Sequence, residues 1–169
     1  VGPTGAGKTS ILSLLCRFYD PVGGQVLLDE VDLRDLPFAA LRRKLAIVLQ
    51  DAFVFSRSVR ENITLGSPMS EAHLRRAAEM VQALDLIEQL PAGFDTVMAE
   101  RGATLSTGQK QLICFARALA HDPRVLILDE ATSNVDPDTE RRIQHAIETL
   151  MRGRTSIVVA HRLSTIQKA

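Results

Sequence analysis

Apolar positions along this chain alternate between two periods. Short continuous apolar runs of strand length stand at Gln25-Val26-Leu27-Leu28-Asp29, Leu45-Ala46-Ile47-Val48-Leu49, Val125-Leu126-Ile127-Leu128 and Thr155-Ser156-Ile157-Val158-Val159-Ala160. Such runs suit strands buried on both faces, as parallel sheets require. Between them, apolar residues recur three and four positions apart, the spacing of a helix with one buried face. Ile11, Leu12, Leu14, Leu15 and Phe18 trace the first such face, and Leu74, Ala77, Ala78, Val81 and Leu84 another. Leu112, Ile113, Phe115, Ala116 and Leu119 form a third, and Ile143, Ala146, Ile147 and Leu150 the last. Strands alternating with helices predict an α/β fold with a parallel sheet.

Local punctuation sharpens these boundaries. Pro21-Val22-Gly23-Gly24 predicts a turn, and Leu36-Pro37 precedes a short helix running through Leu41 and Arg43. Ser70 and Ser106 have the chemistry of helix N-caps, and Asp136-Pro137 is a cap followed by a proline at the first helical position. His121-Asp122-Pro123 and Gly153 are stops. From Asp51 to about Thr104 the strand pattern ceases, which predicts a helical subdomain inserted into the sheet domain and closed by Leu90-Pro91-Ala92-Gly93. The expected division is therefore a sheet core at 1–50 and 105–169 with helices at about 51–104. Phe53 and Phe55 flank the start of the insert, either as core anchors or as an exposed contact for a partner.

Composition changes this picture little. A chain of 169 residues, 46% hydrophobic and 24% charged, is long enough for one sizeable core with an attached subdomain. Lys and Arg total 20, as do Asp and Glu, so net charge offers no argument for nucleic acid or an anionic surface as partner. Cys16 and Cys114 fall in apolar helical patterns without Cys or His at ligand spacing, and read as buried hydrophobes of a reducing compartment. No apolar run approaches the length of a membrane span.

The chemistry concentrates at helix mouths and strand ends. Gly2-Pro3-Thr4-Gly5-Ala6-Gly7-Lys8-Thr9-Ser10 matches the G-x-x-x-x-G-K-[ST] phosphate loop in full. Its glycines let consecutive N–H groups point at one anion, and the helix that follows adds its orphan N–H groups and macrodipole. Lys8 supplies a cation for the outer phosphates, and Thr9 a hydroxyl for Mg²⁺. Open α/β sheets bind ligands beyond the carboxyl ends of their strands, where Gln50, Asp129, Glu130 and His161 stand in sequence. Gln50 could reach a nucleotide or its metal, or merely end a strand. Asp129 suits Mg²⁺, Glu130 an attacking water, and His161 either a γ-phosphate or the orienting of water. Ser106-Thr107-Gly108-Gln109 opens a second helix mouth able to take phosphate. A phosphate loop ordinarily follows a buried strand, of which only Val1 is present, so the polypeptide is expected to extend upstream.

Taken together, these residues resemble the nucleotide-binding domain of ABC transporters, most closely the exporter type. Gly2 to Ser10 is similar to Walker A, Gln50 to the Q-loop, and Leu105-Ser106-Thr107-Gly108-Gln109 to the signature. Val125 to Glu130 is similar to Walker B, Ser133-Asn134-Val135-Asp136 to the D-loop, and His161 to the switch histidine. Glu100-Arg101-Gly102 resembles the loop by which exporters sense their membrane domain. The resemblance implies a P-loop NTPase core with an inserted helical subdomain, truncated at both ends, that hydrolyses ATP with Mg²⁺. It implies nucleotide contacts from Gly2, Thr4, Gly5, Ala6, Gly7, Lys8, Thr9, Ser10 and Gln50, and from Ser106, Gly108 and Gln109 across a head-to-tail dimer. Catalysis would fall to Glu130, His161 and Gln50, and the metal to Thr9, Gln50 and Asp129. The implied partners are a membrane domain, expected on the same polypeptide, and a second nucleotide-binding domain, identical or not. No nucleic acid is implied, and the domain would sit at the cytoplasmic face of a membrane.

Two departures qualify the resemblance. Thr107 stands where the signature usually has Gly, and a β-branched residue resists positive φ and close backbone approach, so the composite site is expected to be weakened. Such a chain would suit a heterodimer that it completes from its Walker side. The upstream aromatic that stacks on adenine in the family is missing. The competing readings are a soluble ATPase of translation or repair and a nucleotide-gated regulatory module. Chromosome-type members carry a long coiled coil between the halves that Gln50 and Ser106 mark here, Glu100-Arg101-Gly102 disfavours the translation branch, and Glu130 argues against a binding-only module.

Overall fold

Three parallel strands carry the arrangement, and their order explains why the apolar runs at 45, 125 and 155 are so continuous. The computed structural model describes residues 7–129 and 135–159. In it β3 (Leu45–Val48), β4 (Val125–Asp129) and β5 (Thr155–Val159) pair in the order β3-β4-β5. Val48 lies opposite Leu128, and Asp129 opposite Val159, so the carboxyl ends of all three strands share one edge of the sheet. Central β4 is flanked on both sides, and Val125 to Leu128 are all buried. Ala160, expected in the last strand, lies outside the described residues.

The helices fall largely where periodicity put them. Before the sheet come α1 (Lys8–Leu15) and α2 (Phe38–Lys44). Between β3 and β4 stand α3 (Val59–Thr64), α4 (Glu71–Met80), α5 (Leu84–Glu88) and the long α6 (Thr107–Ala120). α7 (Pro137–Met151) joins β4 to β5 as the crossover of a parallel pair. Ser70 and Asp136 accept hydrogen bonds from the backbone N–H of His73 and Thr139. At Ser106 the cap is reciprocal with Gln109, and the same capping box, unnoticed in sequence, starts α3 through Ser58 and Glu61.

One apolar core runs through all of this. Leu112, Ile113 and Phe115 of α6 meet Ile63 of α3, Leu74 and Ala78 of α4, Leu126 and Leu128 of β4, and Ile143 and Ile147 of α7. Buried Cys114 belongs to it too, and burial pushes its thiol pKa up, as it does for Cys16. Asn62 is a fully buried polar exception whose side chain is saturated. Its amide nitrogen donates to the carbonyls of Phe55, Arg57 and Ser58, while its oxygen accepts from the Phe55 N–H and from Arg117.

Two expectations need correction. The run 25–29 is not one strand: β1 (Leu27–Leu28) turns straight back into β2 (Val31–Asp32) as an antiparallel pair. The turn uses Asp29 and Glu30 at φ 50° and 66°, the doubly left-handed geometry of a tight hairpin, and no Gly or Asn announces it. The first helix also ends at Leu15, earlier than its apolar pattern, with Arg17 at φ 50°. Ile11 and Phe18 are 57% and 59% exposed rather than packed into the core. Arginines secure this region instead. Arg17 donates to the carbonyls of Leu33 and Leu36 and stacks 4.4 Å from the Phe38 ring, and Arg42 donates to the Cys16 carbonyl at the end of α1.

Candidate functional site

At the mouth of α1, Gly7 takes φ 83°, a left-handed conformation that a residue with a Cβ rarely adopts. Among the described residues nothing lies within 4 Å of where a Cβ on it would stand. Lys8 begins the helix directly after it, and Ser10 is exposed in the first turn. Gly2, Thr4, Gly5 and Ala6 lie outside the described residues, and so does the Thr9 side chain. The backbone that is described has the local form required of the last turn of an anion cradle.

At the carboxyl edge of the sheet, Asp129 closes β4 half-buried, and Gln50 follows β3 in an exposed position. The parallel register brings these two strand ends and the end of β5 together. Glu130 and His161, the residues next expected on that edge, lie outside the described residues. Among the described residues no cluster of three or more His, Cys, Asp or Glu is close enough to hold a metal. The hard oxygen donors expected of Gln50, Asp129 and Thr9 suit Mg²⁺, which takes few protein ligands and shares the rest with phosphate and water.

The second helix mouth departs from expectation in an informative way. Thr107 is exposed at the first position of α6, and its φ is not among the positive ones, so the conformational objection to a β-branched residue there falls. Gly108 is where a side chain cannot be tolerated. A Cβ there would stand 2.3 Å from Thr139 Cγ2, well inside any real contact, and 3.0 Å from Val135 Cγ1, at the limit of one. The bare backbone of α6 thereby lets the first turn of α7 pack against it. Asp136 supports that turn by capping α7, and the hydrogen bonds it accepts at Thr139 hold its carboxyl below the usual range.

Phe53 and Phe55, left open between core and contact, prove to be exposed at 49% and 42% and meet edge to face with centroids 4.9 Å apart. Arg117 lies beneath them, donating to the Phe53 carbonyl, the Asn62 carbonyl and the Asn62 side chain, 5.4 Å from the Phe55 centroid. Glu100–Gly102 forms a single 3₁₀ turn, with Gly102 at φ 64° pressed against Val54 and Lys110. His73 and His121 bind the carbonyls of Ala120 and Ile63. Sequence reasoning assigned neither imidazole a role and passed over Arg117 and Thr139. Nothing in local spacing reveals contacts that form only when α6 packs on α3 and α7.

Comparison with known proteins bears on this geometry directly. Residues 1–133 match the family described as ABC transporter. The chain belongs to the ABC transporter family. This ABC domain is 54% identical over its whole length to the heterocyst differentiation ATP-binding protein HepA of a Nostoc species, of which it covers 28%. It is 47% identical, again over its whole length, to the ATP-dependent lipid A-core flippase of Nitrosococcus oceani, of which it covers 29%. Its fold matches a bacterial Atm1-family ABC exporter solved with ATP bound, at TM-score 0.86 and 43% identity over 98% of this chain and 29% of that one. The ABC domain therefore has the P-loop NTPase fold of an exporter's nucleotide-binding unit. It spans less than a third of the length of these relatives.

Proposed function

We propose that this chain binds and hydrolyses ATP as the nucleotide-binding domain of an ABC exporter, and that hydrolysis drives a substrate across a membrane. The observation that carries the reading is the parallel register of β3, β4 and β5, which gathers three strand ends at one edge, two of them leading straight into Glu130 and His161. Sequence alone had those residues at strand ends; a shared edge is what makes their joint action physically reasonable.

In this reading Gly2, Thr4, Gly5, Ala6 and Gly7 cradle the phosphates through backbone N–H groups, while Lys8, Thr9 and Ser10 address them from the first turn of α1. Gln50, Asp129 and Thr9 would hold Mg²⁺, which when bound neutralises charge between the outer phosphates. Glu130 orients and deprotonates the attacking water, His161 holds the γ-phosphate, and Gln50 lies beside the reacting group. Phosphoryl transfer needs little beyond such positioning and charge stabilisation. Ser106, Gly108 and Gln109 belong to the opposite side of a second domain's nucleotide in a head-to-tail pair. The functional division follows the chain, with a sheet core at 1–50 and 105–169 and a helical subdomain at about 51–104.

A membrane-spanning domain is the proposed partner, and the reading sets this one at the cytoplasmic face. The exposed Phe53–Phe55 pair supports it, since two aromatic rings held edge to face in the open have the character of a contact surface. Among the described residues no helix is long and apolar enough to cross a membrane, so any spanning segment belongs to other parts of the protein. The test is Glu130→Gln in the full-length protein, measuring nucleotide binding and phosphate release separately. ATP should bind with near-normal affinity while turnover falls by a hundredfold or more, in keeping with loss of a general base, about 10²–10⁴-fold. Turnover that stays at the wild-type level would remove Glu130 from the chemistry and with it the hydrolytic reading.

A further inference from the structure

A cavity of about 360 Å³ lies away from the carboxyl edge of the sheet, where α2 and β3 face the segment after α3 and the last turns of α6. Its size falls in the range of small-molecule sites, about 300–1,000 Å³. Leu45, Ile47, Leu65 and Ala118 give it apolar walls. Arg42, Arg43, Arg117, His121 and Ser67 supply the polar lining, and among the described residues no carboxylate is part of it.

The cations differ in what they already hold. Arg42 is committed to the Cys16 carbonyl and the Phe18 ring. Arg117 is committed to carbonyl oxygens and the Asn62 amide, none of which neutralises its charge. Burial lowers its pKa, and no carboxylate pairs with it among the described residues. His121 donates to the Ile63 carbonyl through Nε2, and burial likewise lowers its pKa, so it adds little charge near neutrality. Arg43, on exposed α2, has neither a hydrogen bond nor an ion pair among the described residues. An apolar chamber with uncompensated positive charge and one uncommitted guanidinium at its rim is complementary to an amphiphile of negative charge.

We propose that this cavity binds a small amphiphilic carboxylate, its head on the Arg43 guanidinium and its apolar body against Leu45, Ile47, Leu65 and Ala118. The site is separate from the proposed nucleotide site and lies between the segment leading to Gln50 and the helical insert, where an occupant would touch both. Arg43 takes no part in ATP chemistry, so its replacement should leave basal turnover intact.

The experiment titrates sodium octanoate into the purified full-length protein by calorimetry, with acetate as a head without a body and octylammonium as the same body with reversed charge. Octanoate should bind saturably, and acetate and octylammonium at least tenfold more weakly. Arg43→Glu should weaken octanoate by tenfold or more. Ser67→Trp, which fills the chamber from an exposed position, should abolish binding, and both variants should hydrolyse ATP at the wild-type rate, showing that they fold. Octanoate affinity unchanged in Arg43→Glu, equal binding of octylammonium, or no octanoate binding by the wild type would each overturn the proposal.

Discussion

Replacing Gly108 by Ala adds one methyl group, and the structure says what that methyl would meet. Its Cβ would lie 2.3 Å from Thr139 Cγ2 and 3.0 Å from Val135 Cγ1, whereas carbon atoms pack at about 3.5–4.0 Å. More than an ångström must be found between two helices whose remaining contacts, around Leu112, Ile143 and Ile147, are already closed. Overpacking of this kind costs about 1–3 kcal/mol. For a domain of this size that corresponds to a fall in Tm of roughly 2–12 °C. The decisive comparison is with Thr139→Ser, which deletes Cγ2 and leaves the Thr139 contact at the 3.5 Å of its Cβ. In the Gly108→Ala background this second change should restore most of the lost stability, and the residue left over should reflect Val135. The assay is thermal unfolding of the full-length protein, with hydrogen exchange followed in α6, across all four members of the double-mutant cycle. Because Gly108 opens the helix proposed to face a partner's nucleotide, turnover should fall and recover in step with stability. A Gly108→Ala protein as stable as wild type, or a double variant no better than the single, would refute the claim that this glycine exists for the approach of α7.

Thr107 tests the opposite case, an exposed position at the start of α6 with no positive φ. Thr107→Gly should change stability by less than about 1 kcal/mol, and steady-state phosphate release should rise if the threonine side chain crowds the composite site; an unchanged rate would discard that crowding. His121, whose pKa is lowered chiefly by burial, should make stability depend on pH. The folded state resists a proton that the unfolded chain accepts, so the stabilisation is complete above the unfolded value of about 6.5 and is lost as pH falls through the folded one. His121→Gln should therefore show a smaller loss of Tm between pH 7.5 and 5 than the wild type, and an identical loss would exclude this imidazole as a source.

The features legible in the sequence are those governed by neighbours along the chain. Alternating apolar runs and helical stripes identified β3, β4, β5, α4, α6 and α7, because burial of one face or two leaves a period that needs no partner to be read. Caps at Ser70, Ser106 and Asp136 were equally plain, since their hydrogen bonds reach only three residues ahead. The phosphate loop, the signature and the carboxylate closing β4 were recognisable because each is a local chemical device in a fixed spacing. The hairpin at Asp29-Glu30 was missed because two acidic residues in left-handed geometry carry none of the usual turn signals.

Contacts between distant segments were decided by the tertiary structure alone. Gly108 and Thr139 meet because α6 packs on α7, and no spacing within either helix announces it. Phe53 and Phe55 look like core residues by type, yet the core beneath them is completed by Val54 and the α6 helix, which leaves both rings outside. Arg117 reads as one more charge on a helix, and becomes a half-buried junction only where α3 delivers Asn62 to it. The physical reason is common to all three. Local propensity is set by a residue's own backbone and near neighbours, whereas exposure, steric intolerance and uncompensated charge are set by what arrives from elsewhere in the chain.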